Sequence, residues 1–461
     1  MAEFDSPSDA ADETNVNRNK LPARTAGRQL GGTEDSTFSA IGFAAAGKTE
    51  PSTRSTNSTV HAHGQDLGTG LTFHGAQAGS TQSGFELAKP NKARALWHSL
   101  LRRWSLADRE TTFLVIALKG FVLLVAVLSV GTLFDQKESW ATLWNRWDAT
   151  HYLRLAEHGY TSSGEGFFSL VFYPLYPWLV RATAFVCQNY FIAALVVSGL
   201  ATIAAGLLLR RLVELDQSAK VAQLAVWFLL IFPTAYFLHI AYSESLFLAV
   251  VVGSLLAARM QAWAIAGLLG ALACLTRVNG LVLIPTLFVE AWLQYSQTRK
   301  IDWRWLWIGA TGLGFAVYLL LNYQVTGSPF TFQKIMEEHW YKKITSPWVG
   351  VYGVWGRIPY YNLTEGLHEF IFIVLSLICT IWSWIKLRPT YAVWMTLNWL
   401  LITGTAFVVS VPRYCLTFFP IFIIFARIAV KRPLIGQIIS VVSLLLLALF
   451  ATKFAHGTWA F

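Results

Sequence analysis

The chain has 461 residues, 54% of them hydrophobic and only 13% charged. A soluble domain carries about 25% charged residues, so this composition excludes a soluble enzyme built around one large core. A net charge of +10 would suit nucleic acid in a soluble protein; here the basic residues lie between long apolar runs, so they report membrane topology and no nucleic-acid partner is expected.

Residues 1–90 are rich in Ser, Thr, Gly, Ala, Asn and Asp, hold no sustained apolar period and no compact signal-peptide core, and read as a disordered cytosolic tail. The His61-x-His63 pair within it reads as incidental. Residues 91–112, with "NKARALWHSLLRRWSLADRE" at 91–110, form a basic amphipathic segment expected to lie on the membrane surface.

From 113 to 461 the pattern predicts an all-α polytopic membrane domain. About 11 transmembrane spans are expected, at 113–133, 191–209, 221–240, 244–258, 262–276, 280–297, 305–323, 367–385, 391–410, 414–430 and 436–455. Three of these (244–258, 262–276, 414–430) are short and read as tilted or half-helices. Cys187, Cys274, Cys379 and Cys415 lie in or beside apolar runs with no C-x-x-C, so neither a zinc site nor a disulfide framework is expected.

The positive-inside rule orients this layout. With the tail cytosolic, the short inside connections hold Arg210, Arg211, Lys220, Arg259, Arg299, Lys300, Arg304, Lys386, Arg388, Arg427, Lys431 and Arg432. The short outside connections hold only Arg277 and Arg413. Two long segments, 134–190 and 324–366, then face outside.

The first of these carries "RWDATHYLRLAEHGY" (146–160). At helical spacing Trp144, Asp148, His151, Tyr152 and Leu155 share a face. Asp148 reads either as a helix N-cap or as a functional carboxylate. In "FFSLVFYPLYPWLVR" (167–181), Pro174 and Pro177 forbid one long helix and predict a loop followed by a short interfacial helix. Tyr242, Ser243 and Glu244 stand at an outer membrane end; Glu244 reads either as a first-turn acid behind a Ser243 cap or as a functional intramembrane acid. Arg277 with Asn279, and Arg413 with Tyr414, break the charge bias on the outer side. They read either as snorkelling residues or as ligands for an anion.

The outer face therefore offers two carboxylates, two arginines, many aromatic rings and a greasy wall of helices. No Gly-rich phosphate loop, Ser–His–Asp order or metal-ligand cluster appears. A lipid-linked substrate suits such a site. For sugar transfer from a polyprenyl phosphate, one carboxylate serves as base for the acceptor hydroxyl, arginines stabilise the phosphate leaving group, and a single displacement inverts the anomeric centre. Asp148 is the expected base, with Glu244 as second catalytic candidate. Trp147 and Tyr152 are expected to shape the sugar pocket, and His151 and Arg154 to hold the acid or the acceptor. Arg277 and Arg413 are expected on the phosphate, with Arg146, Tyr242, Ser243, Asn279 and Tyr414 as further substrate-binding candidates. No cofactor is expected, because the sugar donor is a substrate. A divalent metal is not favoured, since a monophosphate leaving group carries little charge.

In this order, "RWDATHYLRLAEHGY", "FYPLYP" (172–177), "AYSESLFL" (241–248), "TRVNGL" (276–281) and "RYCLTFFP" (413–420) resemble the membrane mannosyltransferases of the PIG-V type, which add the second mannose to glycosylphosphatidylinositol anchors, and their bacterial relatives most. The resemblance covers roughly 113–455. It implies a C-type glycosyltransferase (GT-C) fold, with two interfacial helices and an acidic catalytic residue in the first extracytoplasmic loop, and a lipid-phosphate mannose donor. The family's Trp-Asp pair falls on Trp147 and Asp148, and its Tyr-Ser-Glu-Ser motif on Tyr242 to Ser245. The chain has Phe172-Tyr173-Pro174 where eukaryotic members read Phe-Phe-Pro. The expected partners are membrane lipids, the polyprenyl-phosphate sugar donor, and a glycolipid, glycan or protein acceptor. The expected location is the bacterial inner membrane, or the ER membrane in a eukaryote. A transporter or flippase of lipid-linked sugars is the alternative; it would show internal repeats and midplane polar residues, whereas here the polar residues gather at one face.

Overall fold

A computed structural model describes residues 105–133, 139–360 and 364–461. The expected tail and residues 91–104 of the basic segment lie outside the described residues. Helix α1 (Leu106–Leu128) begins at a capping box: Ser105 Oγ accepts from the Asp108 N–H, and the Asp108 carboxylate accepts from the Ser105 N–H. Its first turns take in the last residues of the basic segment. Helices α2 (Trp140–Trp144) and α3 (Asp148–His158) follow, then a 3-10 stretch (Glu165–Val171) and α4 (Leu175–Cys187), the last two bent 116° apart. Pro174 is the α4 N-cap and Pro177 sits in its first turn, where an absent N–H breaks no helical bond.

The chain continues through α5 (Tyr190–Glu214), α6 (Ala219–Leu230), α7 (Glu244–Arg259), α8 (Trp263–Thr276), α9 (Leu283–Thr298) and α10 (Thr311–Thr326). Short helices α11 (Thr331–Glu338) and α12 (Pro347–Arg357) precede α13 (Glu369–Lys386) and α14 (Pro389–Thr403). Then come the five-residue α15 (Val411–Cys415), α16 (Pro420–Lys431) and α17 (Pro433–Ala455). Among the described residues the nearest approach to a sheet is one antiparallel bridge, Ile344 to Thr405.

Five helical stretches are long and apolar enough to cross a membrane: Leu106–Gly131, Tyr190–Glu214, Trp303–Thr326, Gly366–Lys386 and Pro433–Ala455. The protein is an all-helical, polytopic membrane protein. Six other expected spans contain α6, α7, α8, α9, α14 and α16, which are shorter. Helix α6 has 12 residues and α7 has 16, about 18 and 24 Å at 1.5 Å per residue against a bilayer core of about 30 Å. The two ends of this deficit differ in kind. Residues 231–243, between α6 and α7, leave the α-helix altogether, and residues 416–419 interrupt the α15–α16 run.

Irregular backbone at membrane depth survives only where protein covers it. Residues 231–245 are buried without exception, and side chains from other helices serve their free carbonyls. Lys119 of α1 donates to His239 O (2.8 Å) and Thr202 of α5 to Leu238 O (2.6 Å). Within the irregular segment, Thr234 donates to Pro412 O (2.8 Å), which ties it to α15. Close helix crossings hold the frame: a Cβ on Gly267 or Gly314 would fall 2.0 Å from Trp307 O or 1.9 Å from Ala271 O, so α8 packs backbone to backbone on the 303–326 stretch.

Several of the basic residues counted on the inside are buried in ion pairs. Arg259 meets Asp216 (2.7 Å), Arg388 meets Glu290 (2.8 Å), and Arg210 pairs with Asp108 and with Glu214 (2.6 Å). Burial demands a partner for each charge.

Candidate active site

Helix α7 has a charged cluster at each end. Arg259 closes one end. Glu244, about 24 Å away along the axis at 1.5 Å per residue, opens the other. The Glu244 end gathers residues from five separate stretches of sequence.

Asp148 is the first residue of α3. It does not cap the helix; the N-cap position is Trp147, with no side-chain capping bond. Its carboxylate meets the Arg413 guanidinium at 2.7 Å. Arg413 also lies 3.5 Å from Glu244, and Arg277 meets the same Glu244 oxygen at 2.5 Å. Ser243 likewise makes no capping bond. It shares a 2.7 Å hydrogen bond with the Tyr152 hydroxyl and accepts from Arg277 at 3.3 Å. Both acids thus stand at helix N-termini, where the backbone dipole favours negative charge, yet both spend their side chains on arginines.

Tyr414 lies at the centre of the cations. Arg277 and Arg413 each stand 5.6 Å from its ring centre and Lys342 stands 5.3 Å from it, while Lys342 donates to its hydroxyl at 3.2 Å. Arg413 also faces the rings of Phe237 (5.4 Å) and Tyr242 (5.6 Å). Two carboxylates and three basic groups leave this cluster with one positive charge in excess. Exposure separates the two acids: the Asp148 side chain is 21% accessible and Glu244 2%. Only the former presents appreciable surface to a second molecule.

The backbone is strained around this cluster. Trp147, Tyr341 and Ser410 hold φ of +54°, +54° and +68°. They lie one, one and three residues before Asp148, Lys342 and Arg413. Non-glycine residues rarely adopt this region, and such strain concentrates at functional sites.

Other sequence candidates sit nearby or apart. His151 shares a 2.9 Å hydrogen bond with Ser169 and stacks on Phe172 at 4.8 Å, with Trp340 at its edge. Burial lowers the His151 pKa, opposed by Asp148 and reinforced by His339 and Arg154. Burial raises that of Tyr152. The Tyr242 hydroxyl donates to Arg146 O at 3.2 Å. Trp147 meets Trp459 edge-on at 5.2 Å. Arg154 points away to an exposed pair with Glu165 (2.9 Å). Asn279 donates to Asn398 (2.7 Å) in the buried interior and does not join the cluster. The expected shared face also changes. Asn145 to Trp147 break the helix, so Trp144 belongs to α2 rather than to the face of Asp148.

Sequence reasoning missed Lys342, Phe237 and Trp459. Lys342 lies in the second long loop, where nothing local marks it. The segment that carries it is zipped to the α14–α15 connection: Thr345 N–H donates to Gly404 O (2.9 Å) and Ala406 N–H to Lys343 O (2.8 Å). Among the described residues no three His, Cys, Asp or Glu side chains group as metal ligands.

Fold and site together define a polytopic helical membrane protein with a buried, cation-rich cluster at one end of its bundle. Neither a protein-family model nor a curated protein sequence matches the chain. Among solved structures it is similar to ArnT from Cupriavidus metallidurans bound to undecaprenyl phosphate, at 15% identity and a TM-score of 0.42, covering 68% of this chain and 60% of that one. It is also similar to the Archaeoglobus fulgidus oligosaccharyltransferase in its apo form, at 12% identity and a TM-score of 0.40, covering 74% of this chain and 55% of that one. The oligosaccharyltransferase AglB from the same organism, in complex with an inhibitory peptide and a dolichol-phosphate, gives 10% identity and a TM-score of 0.38 over 74% and 55%. The chain thus spans between half and two thirds of the length of these proteins.

Proposed function

We propose that the chain is a GT-C-type glycosyltransferase that moves a hexose, mannose by the sequence resemblance, from a polyprenyl phosphate to an acceptor hydroxyl on the extracytoplasmic face. The observation that carries this reading is the convergence of Asp148, Glu244, Arg277, Arg413 and Lys342 at one end of an apolar bundle, with one positive charge in excess. A lipid chain lies among the helices while its phosphate takes up the excess charge.

In this reading Asp148 takes the acceptor proton as the acceptor oxygen attacks the anomeric carbon. The bond from that carbon to the phosphate oxygen breaks, and its electron pair leaves on the phosphate. Arg277, Arg413 and Lys342 stabilise the developing charge in a site already organised for it. Glu244, buried against two guanidinium groups, holds these cations in register and is not the base. Aromatic rings at Trp147 and Tyr152 border the sugar. The test is transfer of radiolabelled mannose from a polyprenyl-phosphate donor by purified, reconstituted protein, with other hexoses as comparison. Absence of transfer for every hexose overturns the reading; transfer of another hexose corrects only the sugar.

A further inference from the structure

Glu369, the first residue of α13, is fully buried. Its two carboxylate oxygens accept successive backbone N–H groups of a distant segment, Ser410 at 2.6 Å and Val411 at 2.7 Å. That segment needs them. Ser410 holds φ at +68° and makes no capping bond of its own, and Pro412, next in line, has no N–H. Two further side chains fix the same turn, Arg357 donating to Val408 O and Thr234 to Pro412 O (2.8 Å). The residue after Pro412 is Arg413, which bridges Asp148 and Glu244.

We propose that Glu369 is a positioning residue for Arg413: its carboxylate clamps the 410–411 backbone and so aims the guanidinium at Asp148 and the donor phosphate. This rests on the glycosyltransferase reading above. A carboxylate offers two acceptors and fits two adjacent N–H groups. A carboxamide offers one acceptor and turns an NH2 toward the other N–H, so the clamp is half undone at nearly constant volume. Aspartate keeps both acceptors on a shorter reach.

The test compares full-length wild type, E369Q, E369D, R413Q and E369Q/R413Q in detergent. It measures binding of farnesyl phosphate, with farnesol and inorganic phosphate as controls, beside the KM of donor and acceptor. E369Q should weaken farnesyl phosphate binding and raise donor KM about tenfold, the size of a weakened charged contact, and leave acceptor KM unchanged. E369D should recover part of the loss. In the R413Q background E369Q should change neither quantity by more than about twofold, because the residue it positions is gone. A merely structural glutamate would give effects that multiply with R413Q, and that result overturns the proposal. If E369Q does not fold, E369D in both backgrounds gives the same comparison. Binding of farnesyl phosphate that ignores Arg413 also overturns it. Wild-type protein that binds farnesyl phosphate through Arg413 yet transfers no sugar overturns the catalytic reading and leaves the clamp standing.

Discussion

Asp148 and Arg413, 265 positions apart in sequence, meet at 2.7 Å. The guanidinium occupies a carboxylate oxygen of the proposed base. Arg413 is also a residue proposed to receive the donor phosphate. Both statements hold together if the phosphate draws Arg413 away and frees the acid, so that donor binding prepares the base.

The Asp148→Asn variant tests that role. The side chain makes no capping bond, so its loss leaves α3 without a broken cap. We predict a folded protein that binds donor and turns over about 100-fold more slowly or worse, the usual scale of general-base loss. Near-normal transfer by folded D148N removes Asp148 from the mechanism.

The three cations around Tyr414 should act on the donor. Arg277→Gln, Arg413→Gln and Lys342→Gln should each cost roughly 1.5–3 kcal/mol of donor interaction, seen as raised donor KM with acceptor KM little changed. Lys342→Gln is the most informative, because Lys342 bonds Tyr414 and no acid within the site. Unchanged donor kinetics in all three would sink the phosphate assignment.

How much of this was legible in sequence follows from the range of each signal. Apolar runs and the placement of basic residues reveal the helices, and the charge bias singles out Arg277 and Arg413. Asp148 and Glu244 stand out because an acid near an apolar run is costly. Partner choice is not local. Nothing in "EEHWYKKIT" marks Lys342 over Lys343; the pairing of 343–345 with 404–406 decides it. Glu369 falls inside the expected span 367–385, and nothing local marks its partners 41 and 42 positions away. The span lengths misled for a related reason: periodicity cannot distinguish a long helix from a short one extended by buried irregular backbone. Residues 231–243 carry no Asp, Glu, Lys or Arg and yet are not an α-helix.

The side of the membrane is testable directly. Thr161 is exposed in the loop after α3. From the lysine and arginine bias we expect that loop outside the cytosol. A cysteine at 161, in a variant lacking the four native cysteines, should react with a membrane-impermeant thiol reagent added outside intact cells. Labelling only after the membrane is opened would reverse the orientation.

His151 gives a pH signature. Its pKa is lowered in the fold, chiefly by burial, from an unfolded value of about 6.5. The unfolded chain therefore binds the proton first. The stability that the neutral ring contributes is fully present above about pH 6.5 and is lost as pH falls through the lower folded value. We predict that wild type loses thermal stability between pH 6.5 and 5 more steeply than His151→Gln, which cannot titrate. Parallel melting curves for the two proteins across that range would exclude His151 as a source of the slope.

The far end of α7 should behave as framework and not as machinery. Glu290 is fully buried and accepts from Arg388 (2.8 and 2.9 Å) and Thr390 (2.8 Å), with Arg259 3.7 Å away. Removing one member of such a buried pair strands the other, at a cost of about 3–5 kcal/mol. Glu290→Gln should therefore lower the melting temperature sharply. Replacing both partners, as Glu290→Leu with Arg388→Met, removes the stranded charge along with its mate. That double variant should melt above the value expected from adding the two single losses. Donor KM in any variant that folds should stay at the wild-type value, because the cluster lies about a helix length of 24 Å from Glu244. A raised donor KM at normal stability would mean that this end of the bundle takes part in substrate binding after all.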